Sequence, residues 1–276
     1  MPEGDTIYRA ARALNLAFAG RTVTRFESVF PQLTRVDVDH PIEGRTIDRV
    51  TSRGKHLLIW FSGDLVLRTH MRMNGSWHIY RAGERWQRPK HDMRIVIGTD
   101  AYEAVAFTVP IAEFTTAAGL DRDLGHIGPD PLSGDFDARE ALRLLQQRGD
   151  EQVADALLDQ RVLAGVGNVY KSEALFAAGV HPFARVGDLP DAKLERIVAA
   201  VTKFMRANVV DGTSAAIVTY TGLRRTTGRA DPSARLWVYG RAGRPCRRCG
   251  APIQRRKHGP DARSTYWCEN CQRQER

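Results

Sequence analysis

Two groups of residues in this 276-residue chain have the types and spacing to do chemistry: Pro2-Glu3, and the four cysteines Cys246, Cys249, Cys268 and Cys271. Removal of Met1 ahead of the small Pro2 turns Pro2 into an N-terminal secondary amine. Such an α-amine titrates at about 7.7–8.0, against about 10.4 for lysine, so a useful fraction is neutral and nucleophilic at pH 7. Condensed with a sugar aldehyde, it gives an iminium whose fixed positive charge is an electron sink for eliminations. This is covalent catalysis of the Schiff-base type, and Glu3 places a carboxylate beside the amine. A Met-Pro start also arises by chance, so the weight of this reading depends on what else the chain carries.

The cysteines follow Cys-x2-Cys-x18-Cys-x2-Cys, the spacing of a zinc ribbon. Four protein thiolates close a tetrahedral site, so one structural zinc per chain is expected and no catalytic position is left open. His258 lies close enough in sequence to replace one ligand, but four cysteines make that unnecessary. Arg263 stands five residues before Cys268, at the expected tip of a zinc-held hairpin. A rigid hairpin presenting arginine suits groove insertion or a phosphate clamp; the alternative is an ordinary exposed arginine.

Three shorter motifs are weaker alone. Gly165-Val166-Gly167-Asn168 lies between helical segments, where backbone amides and a helix N-terminus attract anions. Asn168 is expected to cap the following helix and to donate to a phosphate; a plain helix–helix turn fits equally well. Arg53-Gly54-Lys55-His56 reads as a strand–strand turn projecting Lys55, which on base rates is a surface lysine. Met73, in His70-Met71-Arg72-Met73-Asn74-Gly75, is also near a turn, as a core residue or as a wedge between bases.

The elements that must position these residues follow from patterning. Residues 5–18 read as a helix, capped by Asp5 or Thr6, with Ile7, Ala11, Leu14 and Phe18 at helical spacing and Gly20 beyond its end. From about 22 to 114 short Val-, Ile-, Trp- and Phe-rich runs read as strands: 46–52, 56–61, 64–69, 76–80, 93–98 and 104–108. That pattern predicts a β-sandwich or barrel. The Pro/Gly cluster at 126–131 reads as a linker, followed by helices at 138–147, 152–158, 169–178 and 189–208 and a polar, Thr- and Arg-rich loop at 213–235.

Composition bounds the partners. Net charge is +9, and residues 237–276 carry ten Lys/Arg against three Asp/Glu. The basic excess is therefore focused on the cysteine-bearing segment and points to an anionic partner. No run of 18 or more apolar residues and no secretory pattern is seen. Cysteines paired in this way without a secretion signal predict metal binding in the cytoplasm, associated with the nucleoid, rather than disulfides.

Together, Pro2-Glu3-Gly4, Gly54-Lys55, the segment around Gly165-Val166-Gly167-Asn168, Val238-Tyr239-Gly240-Arg241, and Arg263-x4-Cys268-x2-Cys271-Gln272 closely resemble the formamidopyrimidine-DNA glycosylase / endonuclease VIII family. The motifs run in the family's order over nearly the whole chain. The resemblance implies an α+β multi-domain protein: an N-terminal β-sandwich with flanking helices (1–125), a helix–two-turn–helix domain with a lesion-capping loop (134–235), and a C-terminal zinc-finger β-hairpin (236–276). It implies a monomer that binds damaged DNA in a basic cleft between its halves and flips the damaged nucleotide out of the stack.

The implied activity is that of a bifunctional base-excision-repair DNA glycosylase and abasic-site lyase. Pro2 would be the nucleophile at C1′, Glu3 the proton shuttle for sugar-ring opening, and Lys55 the strand-turn lysine of the catalytic set, on a phosphate near the lesion. Asn168 and Arg263 would hold the flanking phosphates, and Met73 would fill the gap in the stack. The Arg-Arg-Phe-Gly stretch of the formamidopyrimidine branch is missing near 101–116, and Tyr266-Trp267-Cys268 looks closer to the endonuclease VIII branch. Oxidised pyrimidines are therefore the expected lesions. Arg72-Met73-Asn74 departs from that branch's Gln-Leu-Tyr wedge, and Thr6 stands where a glutamate is usual. An oxidised-purine (8-oxoguanine or formamidopyrimidine) glycosylase and a non-catalytic damaged-DNA-binding protein are the alternatives.

Overall fold

A computed structural model describes residues 2–209, 224–229, 231–259 and 262–273. These fall into two compact units, one of residues 2–126 and one of the described residues from Ile127 onward. Among the described residues, no helix is long and apolar enough to cross a membrane.

The first unit is built on two four-stranded antiparallel sheets. Its elements are α1 (Gly4–Phe18), β1 (Arg25–Ser28), α2 (Pro31–Asp39), β2 (Ile47–Arg53), β3 (His56–Phe61), β4 (Leu65–His70), β5 (Ser76–Arg81), β6 (Met93–Gly98), β7 (Tyr102–Phe107), β8 (Ile111–Thr115) and α3 (Ala117–Leu124). One sheet runs β1-β6-β7-β5 and the other β2-β3-β4-β8. Period-two alternation explains how one core serves both: Leu57, Ile59 and Phe61 of β3 and Ile95 and Ile97 of β6 point into it. The intervening Val96 joins Tyr80, Val105 and Phe107 in a second cluster on the opposite face, against Trp86.

Helix α1 contributes Ile7, Ala10, Ala11, Leu14 and Phe18 to the main core, an apolar stripe at helical spacing. It starts earlier than the residue types suggest. The carbonyl of Glu3, not a side chain of Asp5 or Thr6, accepts the N–H groups of Thr6 and Ile7, at 2.9 and 3.1 Å, so Glu3 is the N-cap. Asp5 is fully buried inside the first turn and pairs with Arg9 at 3.6 Å. The stretch from about 22 to 114, where only short strands are expected, holds helix α2, opened by Pro31 as its first residue. Helix α3, capped by the Thr116 side chain on the Gly119 N–H, follows the last strand of this unit.

The second unit holds α4 (Ala138–Gln146), α5 (Val153–Ala156), α6 (Asn168–Ala178), α7 (Asp191–Ala207) and the antiparallel hairpin β9 (Ile253–His258) and β10 (Arg263–Cys268). Helix α6 is buried almost all round, including Tyr170, Lys171, Ser172 and Glu173. It is the spine on which α7 and β10 pack. Of the loop expected at 213–235, residues 213–223 and 230 lie outside the described residues, as does Met1.

Candidate functional site: an amine terminus, a lysine turn and a zinc-held hairpin

In the first unit the pairing of elements brings the sequence-predicted residues to one end. Near the end of α1 the Gly20 N–H donates to the Ile47 carbonyl at 2.7 Å, and further back Asn15 Oδ1 accepts the Val50 N–H at 2.8 Å. Helix α1 therefore runs antiparallel to β2, and its buried start, Pro2 and Glu3, lies toward the Arg53 end of that strand. Beyond Arg53 the chain turns through Gly54, whose φ of +58° is reached without strain because glycine has no Cβ, and presents half-buried Lys55. Register then places His56 opposite His70, the last residue of β4. The turn that follows carries Met73 and is at the same end.

That second turn is rigid. The Gly75 N–H donates to the Met71 carbonyl at 2.9 Å, and a Cβ on Gly75 would meet the same oxygen at 2.6 Å. Arg72 has a φ of +50°, and its N–H donates to His70 Nδ1 at 3.1 Å. Thr108 Oγ1 donates to the Asn74 carbonyl at 2.7 Å. Met71 is buried while Met73 is 59% exposed, so the apolar side chain displayed is Met73 and not its neighbour. An exposed methionine on a clamped turn is what insertion into a base stack asks for.

In the second unit Gln160 fixes the loop ahead of α6, accepting the Gly165 N–H at 2.9 Å and donating to the Val166 carbonyl at 3.1 Å. Gly165 has a φ of +81°. The N-cap of α6 is Gly167; Asn168, expected to be that cap, is the first residue of the helix. Its Oδ1 instead accepts the Lys171 Nζ at 3.1 Å, which leaves its NH2 as the end that can donate, at a helix N-terminus.

The four cysteine sulfurs lie within 4.8 Å of one another, with Cys246–Cys271 at 3.9 Å and Cys249–Cys268 at 3.4 Å. Four thiolates at about 2.3 Å from one ion need separations of this size, so the donor set fits a structural tetrahedral zinc. His258 is not a ligand. Its Nε2 meets Thr265 Oγ1 and its Nδ1 lies 3.1 Å from Asp155 Oδ1. Gln272, fully buried, accepts the Cys268 N–H at 3.0 Å and donates to the Val180 carbonyl at 2.8 Å, tying the second knuckle to the end of α6. Arg263 opens β10 and pairs in register with His258.

Sequence reasoning missed the buried polar residues behind these side chains. Glu173 accepts the backbone N–H groups of Trp237, Val238 and Tyr239, each at 2.8 Å, and the Thr226 hydroxyl. Lys171 and the Asp155–His258 contact were also unflagged. The available signal was charge beside a strongly apolar stretch: α6 carries Lys171 and Glu173 directly ahead of Ala174-Leu175-Phe176-Ala177-Ala178.

The chain matches family models over most of its length. Residues 1–110 match the formamidopyrimidine-DNA glycosylase N-terminal domain, 127–219 its H2TH domain, and 243–274 a zinc finger found in such glycosylases and in isoleucyl-tRNA synthetase. A protein of Streptomyces coelicolor described as probable endonuclease 8 2 is 42% identical over 275 residues, 99% of this chain and 94% of that one. The DNA-(apurinic or apyrimidinic site) lyase Nei2 of Mycolicibacterium smegmatis is 40% identical, with 99% of each chain covered. A crystal structure of the Lactococcus lactis glycosylase with abasic-site DNA shares the fold, with a TM-score of 0.82 at 24% identity over 99% of this chain and 100% of that one.

Proposed function

We propose that this chain, which belongs to the formamidopyrimidine-DNA glycosylase / endonuclease VIII family of DNA glycosylases and abasic-site lyases, removes oxidised pyrimidines from DNA and then cleaves the strand by β,δ-elimination. Its functional division is 1–125 for catalysis, 134–235 for DNA binding with a lesion-capping loop, and 236–276 for the zinc finger. The observation that carries the reading is the convergence of Pro2, Glu3, Lys55 and the Met73 turn on one end of the first unit.

Freed of Met1, the Pro2 nitrogen attacks C1′ of the flipped nucleotide and forms the N–C1′ bond as the bond to the base breaks. Glu3 delivers a proton to the sugar ring oxygen. The ring opens and leaves an iminium between Pro2 and C1′. That cation acidifies the C2′ proton; its removal expels the 3′ phosphate, with the electron pair of the C3′–O bond leaving on oxygen. A second proton loss, at C4′, expels the 5′ phosphate, and water hydrolyses the imine to regenerate the amine. Lys55, Asn168 and Arg263 hold phosphates around the extruded nucleotide as charge-assisted donors. Zinc, held by Cys246, Cys249, Cys268 and Cys271, supplies rigidity to the hairpin and no chemistry.

The lesion preference is supported by what separates β7 from β8. Only residues 108–110 connect Phe107 to Ile111, which leaves no room for an arginine- and phenylalanine-bearing intercalating loop. Met73 alone is left to fill the stack from this unit.

The test uses C-terminally tagged protein with Met1 removal confirmed by mass, incubated with sodium borohydride and duplexes carrying an abasic site, 5-hydroxyuracil or 8-oxoguanine. Covalent trapping on the first two, abolished by Pro2→Gly, is expected. Trapping on 8-oxoguanine in place of 5-hydroxyuracil would move the enzyme to the purine branch. Binding without any trapping would make it a non-catalytic damaged-DNA-binding protein.

A further inference from the structure

Zinc fixes only one end of the hairpin that carries Arg263. The knuckle closes at Cys268, and Arg263 lies at the far end of β10. A two-stranded hairpin is marginally stable by itself in water, so a phosphate clamp at its tip, away from the zinc, needs a second anchor.

The structure contains one. His258, the register partner of Arg263, is 8% exposed and reaches out of the hairpin with both ring nitrogens engaged. Nε2 meets the hydroxyl of fully buried Thr265, the next inward-facing residue of β10 after Arg263. Nδ1 lies 3.1 Å from the carboxylate of Asp155 on α5, an oblique approach in which the carboxylate faces the ring N–H, and burial holds the imidazole's pKa below its ordinary value. The hairpin backbone closes on the same carboxylate: a Cβ on Gly259 would come within 2.9 Å of Asp155 Oδ1. Phe183 packs edge-on against the imidazole, 5.0 Å between centroids.

The same region holds the other phosphate ligand. Lys171, buried one turn into α6, donates to Asn168, and Ser172 Oγ accepts the Tyr266 N–H of β10 at 3.4 Å. Asn168 and Arg263 thus stand on α6 and β10, elements packed on each other and joined by buried polar contacts.

We propose that Asp155 and His258 are positioning residues for Arg263: the Asp155–His258–Thr265 array sets the tip of the hairpin so that the guanidinium meets a DNA phosphate. The inference rests on the reading of Arg263 as a phosphate clamp.

The test is a double-mutant cycle on the full-length, zinc-loaded protein, read as affinity for a duplex with a tetrahydrofuran abasic analogue across a salt series. Arg263→Ala is expected to weaken binding about tenfold and to lower the salt slope by about one, the signature of one lost phosphate contact. His258→Phe, which keeps the ring stack on Phe183, is expected to do the same with Arg263 intact and zinc at one per chain. Asp155→Ala, which alters a partly exposed side chain and spares the hairpin, is expected to follow it. Asp155→Asn keeps an acceptor for Nδ1–H and restores most of the affinity. Added to Arg263→Ala, neither His258→Phe nor Asp155→Ala should cost more, because the group they position is gone. Losses that add, or His258→Phe and Asp155→Ala proteins with wild-type slope, overturn the inference while leaving the clamp in place. An Arg263→Ala protein with unchanged affinity and slope overturns the clamp reading and the inference with it.

Discussion

His56 and His70 stand directly opposite one another in the β3–β4 ladder, ring edge to ring face, with centroids 5.0 Å apart at 76°. Burial, with His70 and Arg68 nearby, pushes His56 down to about 3. Burial, with Arg72 and Lys55 nearby, pushes His70 down to about 4. Both rings are neutral at pH 7. Neutrality is required at His70, whose Nδ1 must be unprotonated to accept the Arg72 N–H that shapes the Met73 turn.

Stability should therefore respond to acid through this pair. In the unfolded chain a histidine takes up its proton near about 6.5, whereas folded His70 and His56 do so only near 4 and 3. Their contribution is complete above about pH 6.5 and is lost as pH falls through that window, at no more than about 1.4 kcal/mol per pH unit for each ring and less for the more open His70. Denaturant midpoints measured at pH 7 and pH 5 should converge for His56→Leu relative to wild type. An identical acid loss in both proteins would remove the pair from the account.

Zinc removal should be local. None of the four thiols belongs to the core of residues 2–126, whose buried residues come mainly from α1 and the two sheets, with Leu33 of α2. Cys268→Ser should lose the metal and the protection of β9 and β10 amides against hydrogen exchange, while β6 and β7 keep theirs; DNA affinity falls with the hairpin. One equivalent of zinc retained with native hairpin protection would contradict this.

Much of this was legible in the chain because the signals are local. Strands His56–Phe61 and Met93–Gly98 end where apolar runs meet Gly, Asp or charged residues, and the observed bounds coincide with those read from the sequence. The cysteine spacing alone gave the metal centre. What was illegible was decided by tertiary contact. Helix α2 buries only Leu33, too little for periodicity to reveal it. The N-cap moved from Asp5 or Thr6 to Glu3 because the backbone carbonyl, not a side chain, holds the first turn. Asp155 and His258 are distant in sequence and meet only once the hairpin has folded onto α5.

Glu3→Gln separates the two halves of the proposed reaction. The helix start survives because the cap is the Glu3 carbonyl. Without an acid at the ring oxygen, base removal in single-turnover assays should slow by about 10²- to 10⁴-fold. Cleavage of a preformed abasic site should fall much less, since part of that sugar is already an open aldehyde. Equal losses in both assays would place the Glu3 carboxylate at a later step.

Glu173→Gln should show that a near-isosteric change can be severe. One carboxylate oxygen accepts the Val238 and Tyr239 N–H groups, and the other accepts the Trp237 N–H and the Thr226 hydroxyl. Burial pushes this carboxyl's pKa up, while the Thr226 hydroxyl and the three backbone donors pull it back. Every contact is made to an acceptor. A carboxamide turns one of the two oxygens into a donor, so at least one buried N–H faces an NH2 group. Each buried polar group left without its partner costs about 1–3 kcal/mol, so a loss of about 2–4 kcal/mol is expected from the urea midpoint. Glu173→Ala should cost at least as much, because it abandons all four donors and leaves a cavity. The damage should appear first where the carboxylate acts, as lost protection of the 237–239 amides, upstream of Cys246. A Gln variant within about 0.5 kcal/mol of wild type, the range of ordinary surface substitutions, would mean that these donors find other acceptors and that Glu173 does not hold the segment leading to the zinc finger.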